Sequence, residues 1–195
     1  MNNHNGTNQK GNNSKLYLVD IANFEDMSIK AQKSINIYGF PIGIMSLATF
    51  IKEKLPIDIR CFDFGIDYSS EEKLLGLIKE GRPDYVGIRA ISANTSVLTS
   101  VVKAIKEYDP EIFVIVGGPY VSEHNTDEYN EIEADCFVVG EGEQTLAELL
   151  DRLLKGEPYE DVVGLASRTG ASANGDKFHF VHGRRELMDI NDIPF

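Results

Sequence analysis

Five short apolar runs, each separated from the next by a stretch of helical spacing, constrain the fold of this 195-residue chain more than any other feature. The runs are LYLVDI (Leu16 to Ile21), IDIRCFDF (Ile57 to Phe64), YVGIRAI (Tyr85 to Ile91), IFVIVGG (Ile112 to Gly118) and CFVVG (Cys136 to Gly140). Continuous apolar runs of this length suit strands buried on both faces. The second run alternates, which puts it nearer an edge. Between the runs, Leu47, Phe50, Ile51 and Leu55 form a helical stripe ended by Pro56. Leu74, Leu75 and Ile78 form another, closed by Gly81 and Pro83. Val97, Leu98, Val101, Val102 and Ile105 stop before Asp109-Pro110, and Leu146, Leu149, Leu150, Leu153 and Leu154 stop before Gly156 and Pro158. A weaker, polar helix is expected near Asp127 to Ile132.

Strands alternating with helices through short connections imply a parallel sheet covered on both faces, with right-handed crossovers. The expected fold is α/β: a flavodoxin-like (Rossmann-like) five-stranded parallel sheet of order 2-1-3-4-5. After Pro158 the pattern changes. VVGLASRTG and DKFHFVHG read as a C-terminal β-hairpin around an Ala/Ser/Gly/Asn-rich loop, and RRELMDINDIPF as an extended, acidic linker. The chain thus divides into an Asn- and Gly-rich disordered tail (1–14), an α/β domain (15–157) and a hairpin with linker (158–195).

Composition narrows the function. A formal net charge of -12 argues against a nucleic-acid partner, whose phosphates demand a basic face. No apolar run is long enough for a membrane span, and the N-terminal residues are not a signal peptide. The 2 cysteines, Cys61 and Cys136, sit inside strand-like runs and make no disulfide framework, which fits a reducing, cytoplasmic compartment.

In an open parallel sheet, ligands bind beyond the carboxyl ends of the strands, at the switch in strand order. The segments expected there are SANTS (Ser92 to Ser96), GGPY (Gly117 to Tyr120) and GEGEQT (Gly140 to Thr145), with the long loop after the first strand. Each has a plain structural reading. SANTS supplies helix caps in Asn94 or Thr95, and GEGEQT starts a helix with Glu143 favourable to its dipole. Together at one rim, however, they form a glycine-rich, hydroxylic surface on which a large flat ligand can lie against backbone. Catalytic constellations are absent from the sequence: no H-E-x-x-H, no G-x-x-x-x-G-K-[ST], no G-x-S-x-G, and a Gly-x-Gly at Gly140 without its third glycine. Asp20 and Asp63 end the first two strands, where a receiver domain keeps acids, but the third strand ends in RAIS and lacks a phospho-acceptor. His124 reads as a surface residue, and His179 and His182 fall in the hairpin.

The segments YGFPIGIMSLATFIKE, GRPDYVGIRAIS, VIVGGPYVSEH, ADCFVVGEGEQTLAELLDRL and DVVGLASRTG resemble, in order, the N-terminal cobalamin (vitamin B12)-binding domain of cobalamin-dependent radical SAM enzymes. The resemblance covers Leu16 to Phe195. It implies cobalamin as cofactor, with the corrin over the strand ends and the nucleotide tail in a slot beside the sheet. Gly117 and Gly118 would let the tail pass close to main chain, and Pro119 would fix the exit. Gly140, Glu141, Gly142 and Thr145 would meet the ribose or phosphate, while Ser92, Asn94 and Thr95 would face the corrin. MDINDIPF resembles the linker before a radical SAM barrel. S-adenosylmethionine and a [4Fe-4S] cluster would then belong to that barrel, in cis or in trans, because this chain has no Cys-x-x-x-Cys-x-x-Cys motif.

Two departures stand out. The loop DIANFEDMSIKAQ has no histidine where methionine synthase and the mutases place a cobalt ligand, so the chain offers no metal ligand there. Tyr120 replaces a histidine frequent in relatives. The resemblance implies a cofactor-binding module of a methyl-transfer or related radical system, not catalytic alone. The alternatives are an interaction or regulatory domain of the same fold that has lost its cofactor, and a flavin-type binder, for which ANFEDM makes a poor phosphate loop.

Overall fold

The computed structural model describes residues 14–21, 42–64, 66–91, 95–123, 129–168, 178–180 and 183–189. Among them are seven strands: β1 (Lys15–Asp20), β2 (Asp58–Asp63), β3 (Tyr85–Arg89), β4 (Phe113–Gly117), β5 (Cys136–Val138), β6 (Leu165–Arg168) and β7 (Phe178–Phe180). The helices described are α1 (Ile42–Lys54), α2 (Glu71–Gly81), α3 (Thr95–Tyr108), the short α4 (Pro119–Glu123) and α5 (Gly142–Lys155). The sheet order is β2-β1-β3-β4-β5-β6-β7. The first five strands run parallel in the expected 2-1-3-4-5 order, and the C-terminal hairpin adds two antiparallel strands beside β5. β6 returns through α5 to pair antiparallel with β5, and β6 and β7 then form the hairpin.

Alternate strand residues feed two cores. Tyr17, Val19, Val86, Ile88, Val114 and Val116 pack with Leu74, Ile78 and the Val97–Ile105 stripe of α2 and α3. Leu16, Leu18, Tyr85, Ile115, Cys136 and Val138 pack with Ile44, Phe50 and Ile51 of α1 and Leu146, Leu149 and Leu150 of α5. Strands buried on both faces explain the unbroken apolar runs in the sequence.

The helix ends follow their expected signals with one refinement. Ser70 caps α2, its hydroxyl accepting from Lys73 N at 3.3 Å. At the other end the left-handed residue is Arg82 (φ 48), not Gly81. Gly81 is glycine for space: a Cβ there would fall 1.6 Å from the Tyr17 hydroxyl. The polar helix expected near Asp127 lies mostly outside the described residues, and Tyr129 to Ile132 form a turn closed by Ile132 N donating to Tyr129 O at 3.1 Å. The N-terminal residues 1–13 also lie outside them.

Candidate functional site

Register places Leu18 of β1 beside Gly87 of β3, Gly87 beside Ile115 of β4, and Ile115 beside Cys136 of β5. This row faces α1 and α5. Gly87 has no side chain in this row, and the end of Leu18 leans over it, so that a Cβ there would stand 2.8 Å from Leu18 Cδ2. The helices above are also trimmed. A Cβ added at Gly43 of α1 would meet nothing within 4 Å among the described residues, and one at Gly142, in the first turn of α5, would stand 3.1 Å from Leu47 Cδ2. The result is a cavity of about 260 Å³ between the sheet and the two helices, opening toward the carboxyl ends of the strands. Its walls are largely aliphatic, from Leu18, Ile44, Leu47, Ile115, Val138 and Leu146. That volume lies just below the roughly 300–1,000 Å³ of pockets that enclose a whole drug-sized ligand. The slot is therefore sized for an apolar part of a larger molecule.

The row above, two residues on and on the same face, reads Asp63, Asp20, Arg89, Gly117 across β2, β1, β3 and β4. Arg89 Nη1 donates to both Asp20 carboxylate oxygens, at 3.0 and 3.1 Å. Burial lifts the Asp20 carboxyl above the ordinary carboxylate range, although the Arg89 guanidinium pulls it back. Asp63 is also raised, by burial and then by the Asp20 and Asp67 charges. Asp67 accepts from Asp63 N at 2.8 Å, and Tyr68 donates its hydroxyl to the Asp20 carbonyl at 2.5 Å. These acids are thus bound into local pairs, and no group of three or more metal-binding side chains occurs among the described residues.

Gly117 and Gly118 end β4 beside the slot and differ in what they do. A Cβ at Gly117 would make only ordinary contact, 3.8 Å from Val138. At Gly118 it would stand 2.8 Å from the Ala90 carbonyl oxygen, and φ is +94°. Both facts require glycine there. Ala90 O accepts from Tyr120 N at 3.1 Å, so the tip of β3 is stitched to the start of α4. Gly140 (φ +85°) turns the chain from β5 toward α5. Gly117, Gly118, Gly140, Glu141 and Gly142 all line the slot.

Other expected site residues lie elsewhere. Pro119 is the exposed first residue of α4. Tyr120 points into the opposite core and is 1% exposed, because the unforeseen helix α4 turns it under the sheet. It does not reach the slot. Thr145 is fully buried behind α5: its hydroxyl donates to Val163 O at 3.1 Å and accepts from Arg185 Nε at 3.3 Å. That hydroxyl is committed to the fold and is not offered to a ligand. Thr95 is exposed at the start of α3, while Ser92, Asn94, His124 and His182 lie outside the described residues. Glu141 and Glu143 are half-buried and partnered, accepting from Met188 N at 2.9 Å and from Ser46 Oγ at 3.1 Å.

Sequence reasoning missed Gly43, Gly87 and Arg89. Gly87 did leave a trace, since an isolated glycine inside a buried strand marks close approach of something other than a side chain.

Residues 33–150 match the B12 binding domain, more than half of the chain, and the chain belongs to that family. It is a cobalamin-binding domain. Over 159 residues it is 29% identical to an uncharacterized methyltransferase of Pyrococcus horikoshii, covering 80% of this chain and 33% of that protein. Over 133 residues it is 30% identical to the hopanoid C-3 methylase of Methylococcus capsulatus, covering 67% of this chain and 25% of the relative. The chain therefore spans a third or less of the curated relatives it matches. Among solved structures, the cobalamin-dependent S-adenosylmethionine radical enzyme OxsB with aqua-cobalamin bound superposes with a TM-score of 0.71 at 13% identity, over 89% of this chain and 23% of that one. The radical S-adenosylmethionine methyltransferase TsrM of Kitasatospora setae, with cobalamin and a [4Fe-4S] cluster bound, gives 0.62 at 17% identity, over 93% and 31%.

Proposed function

We propose that this chain is the cobalamin-carrying module of a radical SAM methyltransferase, with its nucleotide tail held in the slot between α1 and α5 and its corrin lying over the strand tips. The observation that carries the reading is the aliphatic cavity lined by Gly43, Gly87 and Gly142, since a domain without an occupant has no reason to leave such a cavity at its switch point. Bound cobalamin supplies the group-transfer chemistry, and the protein supplies binding, orientation and exclusion of water. Leu18, Ile115 and Leu146 would hold a flat apolar base. Gly117, Gly118, Gly140 and Gly142 would bring backbone close to the ribose. Pro119 would fix the β4 exit, Glu141 would stand at the rim, and the loop of Ser92, Asn94 and Thr95 would face the corrin.

In this reading residues 15–157 form the cofactor module and 158–195 lead toward a radical SAM domain, in cis as in the relatives or in trans. S-adenosylmethionine and the [4Fe-4S] cluster belong to that domain, and metal binding by this chain is the binding of cobalamin's cobalt. The cytoplasm is supported by two free thiols, Cys61 and the fully buried Cys136, the latter raised well above its ordinary pKa by burial. No helix among the described residues is long and apolar enough to cross a membrane, and the acidic charge gives nucleic acid no purchase.

Hydroxocobalamin mixed with the protein should co-elute on gel filtration with a shifted corrin spectrum. Elution of all cofactor in the small-molecule fraction would favour a cofactor-free interaction or regulatory domain. A parallel incubation with FMN should leave no flavin bound.

A further inference from the structure

We infer that Arg89 is the group that receives the phosphodiester of the cofactor's nucleotide tail, an inference that rests on the cobalamin reading above. Among the described residues lining the slot, Arg89 is the one cation. The slot's two carboxylates face other tasks, Glu141 toward Met188 and Glu143 toward Ser46. Arg89 uses Nη1 for Asp20, and among the described residues its Nε and Nη2 donate to none. Its neighbour on β4 is Gly117, which puts no side chain between the guanidinium and the slot. Its stem lies against the other glycine, since a Cβ at Gly118 would fall 3.1 Å from Arg89 Cγ. The side chain is 39% exposed, open to a ligand yet oriented by its carboxylate partner.

The vertical order fits the chemistry of the tail. Arg89 stands one strand repeat above Gly87, about 6–7 Å nearer the rim. In cobalamin the phosphodiester lies between the corrin side chain and the ribose that bears the base. A base seated over Gly87 therefore brings the anion to the Arg89 row. A planar guanidinium whose Nε and Nη2 have no acceptor among the described residues is the side chain best shaped to meet two phosphate oxygens. The Asp20 pair fixes the fork before the ligand arrives, which lowers the ordering cost on binding. Without this cation, an anionic tail would enter a slot bordered by carboxylates in a chain of net charge -12.

Cobinamide shares the corrin but lacks the phosphate, ribose and base. Affinities of hydroxocobalamin and dicyanocobinamide should be measured by visible-spectrum titration for the wild type, Arg89→Gln and Arg89→Lys, with thermal melting of each. For Arg89→Gln the preference for cobalamin over cobinamide should fall by about ten-fold or more, the scale of a lost charge-assisted hydrogen bond. Arg89→Lys should recover part of that preference. Equal loss for both ligands would assign Arg89 to the corrin or to the fold and overturn the inference, as would an unchanged preference. A wild type that retains neither ligand would instead refute the cobalamin reading itself.

Discussion

Two adjacent rows of the same sheet are built on different principles. Toward α2 and α3, the row Phe62, Val19, Ile88, Val116, Phe137 carries a large side chain on every strand. Toward α1 and α5, the row Cys61, Leu18, Gly87, Ile115, Cys136 is broken at its centre by a glycine. Both rows belong to strands of one register, so the backbone cannot account for the difference. One face is packed throughout, and the other leaves a cavity between the sheet, α1 and α5. Closed packing is reinforced on the first face by Tyr129 stacked on Phe137, ring centroids 4.3 Å apart, its hydroxyl donating to Val121 O at 2.5 Å.

The contrast can be broken at either face. The largest effect should come from the closed one. Phe137→Ala removes a fully buried ring and its stack, and should cost about 3–5 kcal/mol in denaturant unfolding. The folded fraction should keep its cobalamin affinity. On the open face, Gly87→Val should reverse the balance. Its Cβ meets only the end of Leu18, so the stability cost should be about 1–3 kcal/mol, set against valine's preference for strands. Cobalamin binding, however, should fall by more than about ten-fold, because the branched side chain fills the slot floor. Intact uptake by a folded Gly87→Val protein would show that the cofactor lies elsewhere.

The smallest effect concerns the rim row of Asp63, Asp20, Arg89 and Gly117. Burial, then neighbouring acids, raise the folded-state pKa of Asp63, and burial raises that of Asp20. A raised carboxyl binds its proton more tightly folded than unfolded. Its contribution to stability is therefore lost as pH rises from the ordinary carboxylate range through the raised value. Asp63→Asn should melt higher than wild type near neutrality by less than about 1 kcal/mol, given its partial exposure. The advantage should vanish near pH 4, and a larger advantage in acid would contradict the assignment.

The sequence carried the frame of this molecule and part of its site. Continuous apolar runs mark strands covered on both sides, and Pro56, Gly156 and Pro158 stop helices by plain covalent geometry, so order and topology were legible. The glycines of β4 and of the β5–α5 turn were legible too, being too many for a turn. The direction of Tyr120 and Thr145 was not. Tyr120 depends on whether the chain after Gly118 extends or coils, and a five-residue helix leaves little periodic trace. Thr145 faces away from the slot because Gly164, Val163 and Arg185 gather round its hydroxyl, contacts made from segments 18 to 40 residues away. Arg89 escaped notice because its role depends on register with Asp20 and Gly117, which only strand pairing reveals.

The most direct measurement is a hydroxocobalamin titration of Gly43→Phe beside the wild type, with melting curves from the same samples. Gly43 lines the slot on α1, and a Cβ there meets no atom of the described residues within 4 Å. Replacing glycine in a helix should leave stability unchanged or raise it by about 0.5 kcal/mol. The account predicts a wild type that takes up cobalamin and an equally stable variant that does not. Equal uptake by both proteins would contradict it.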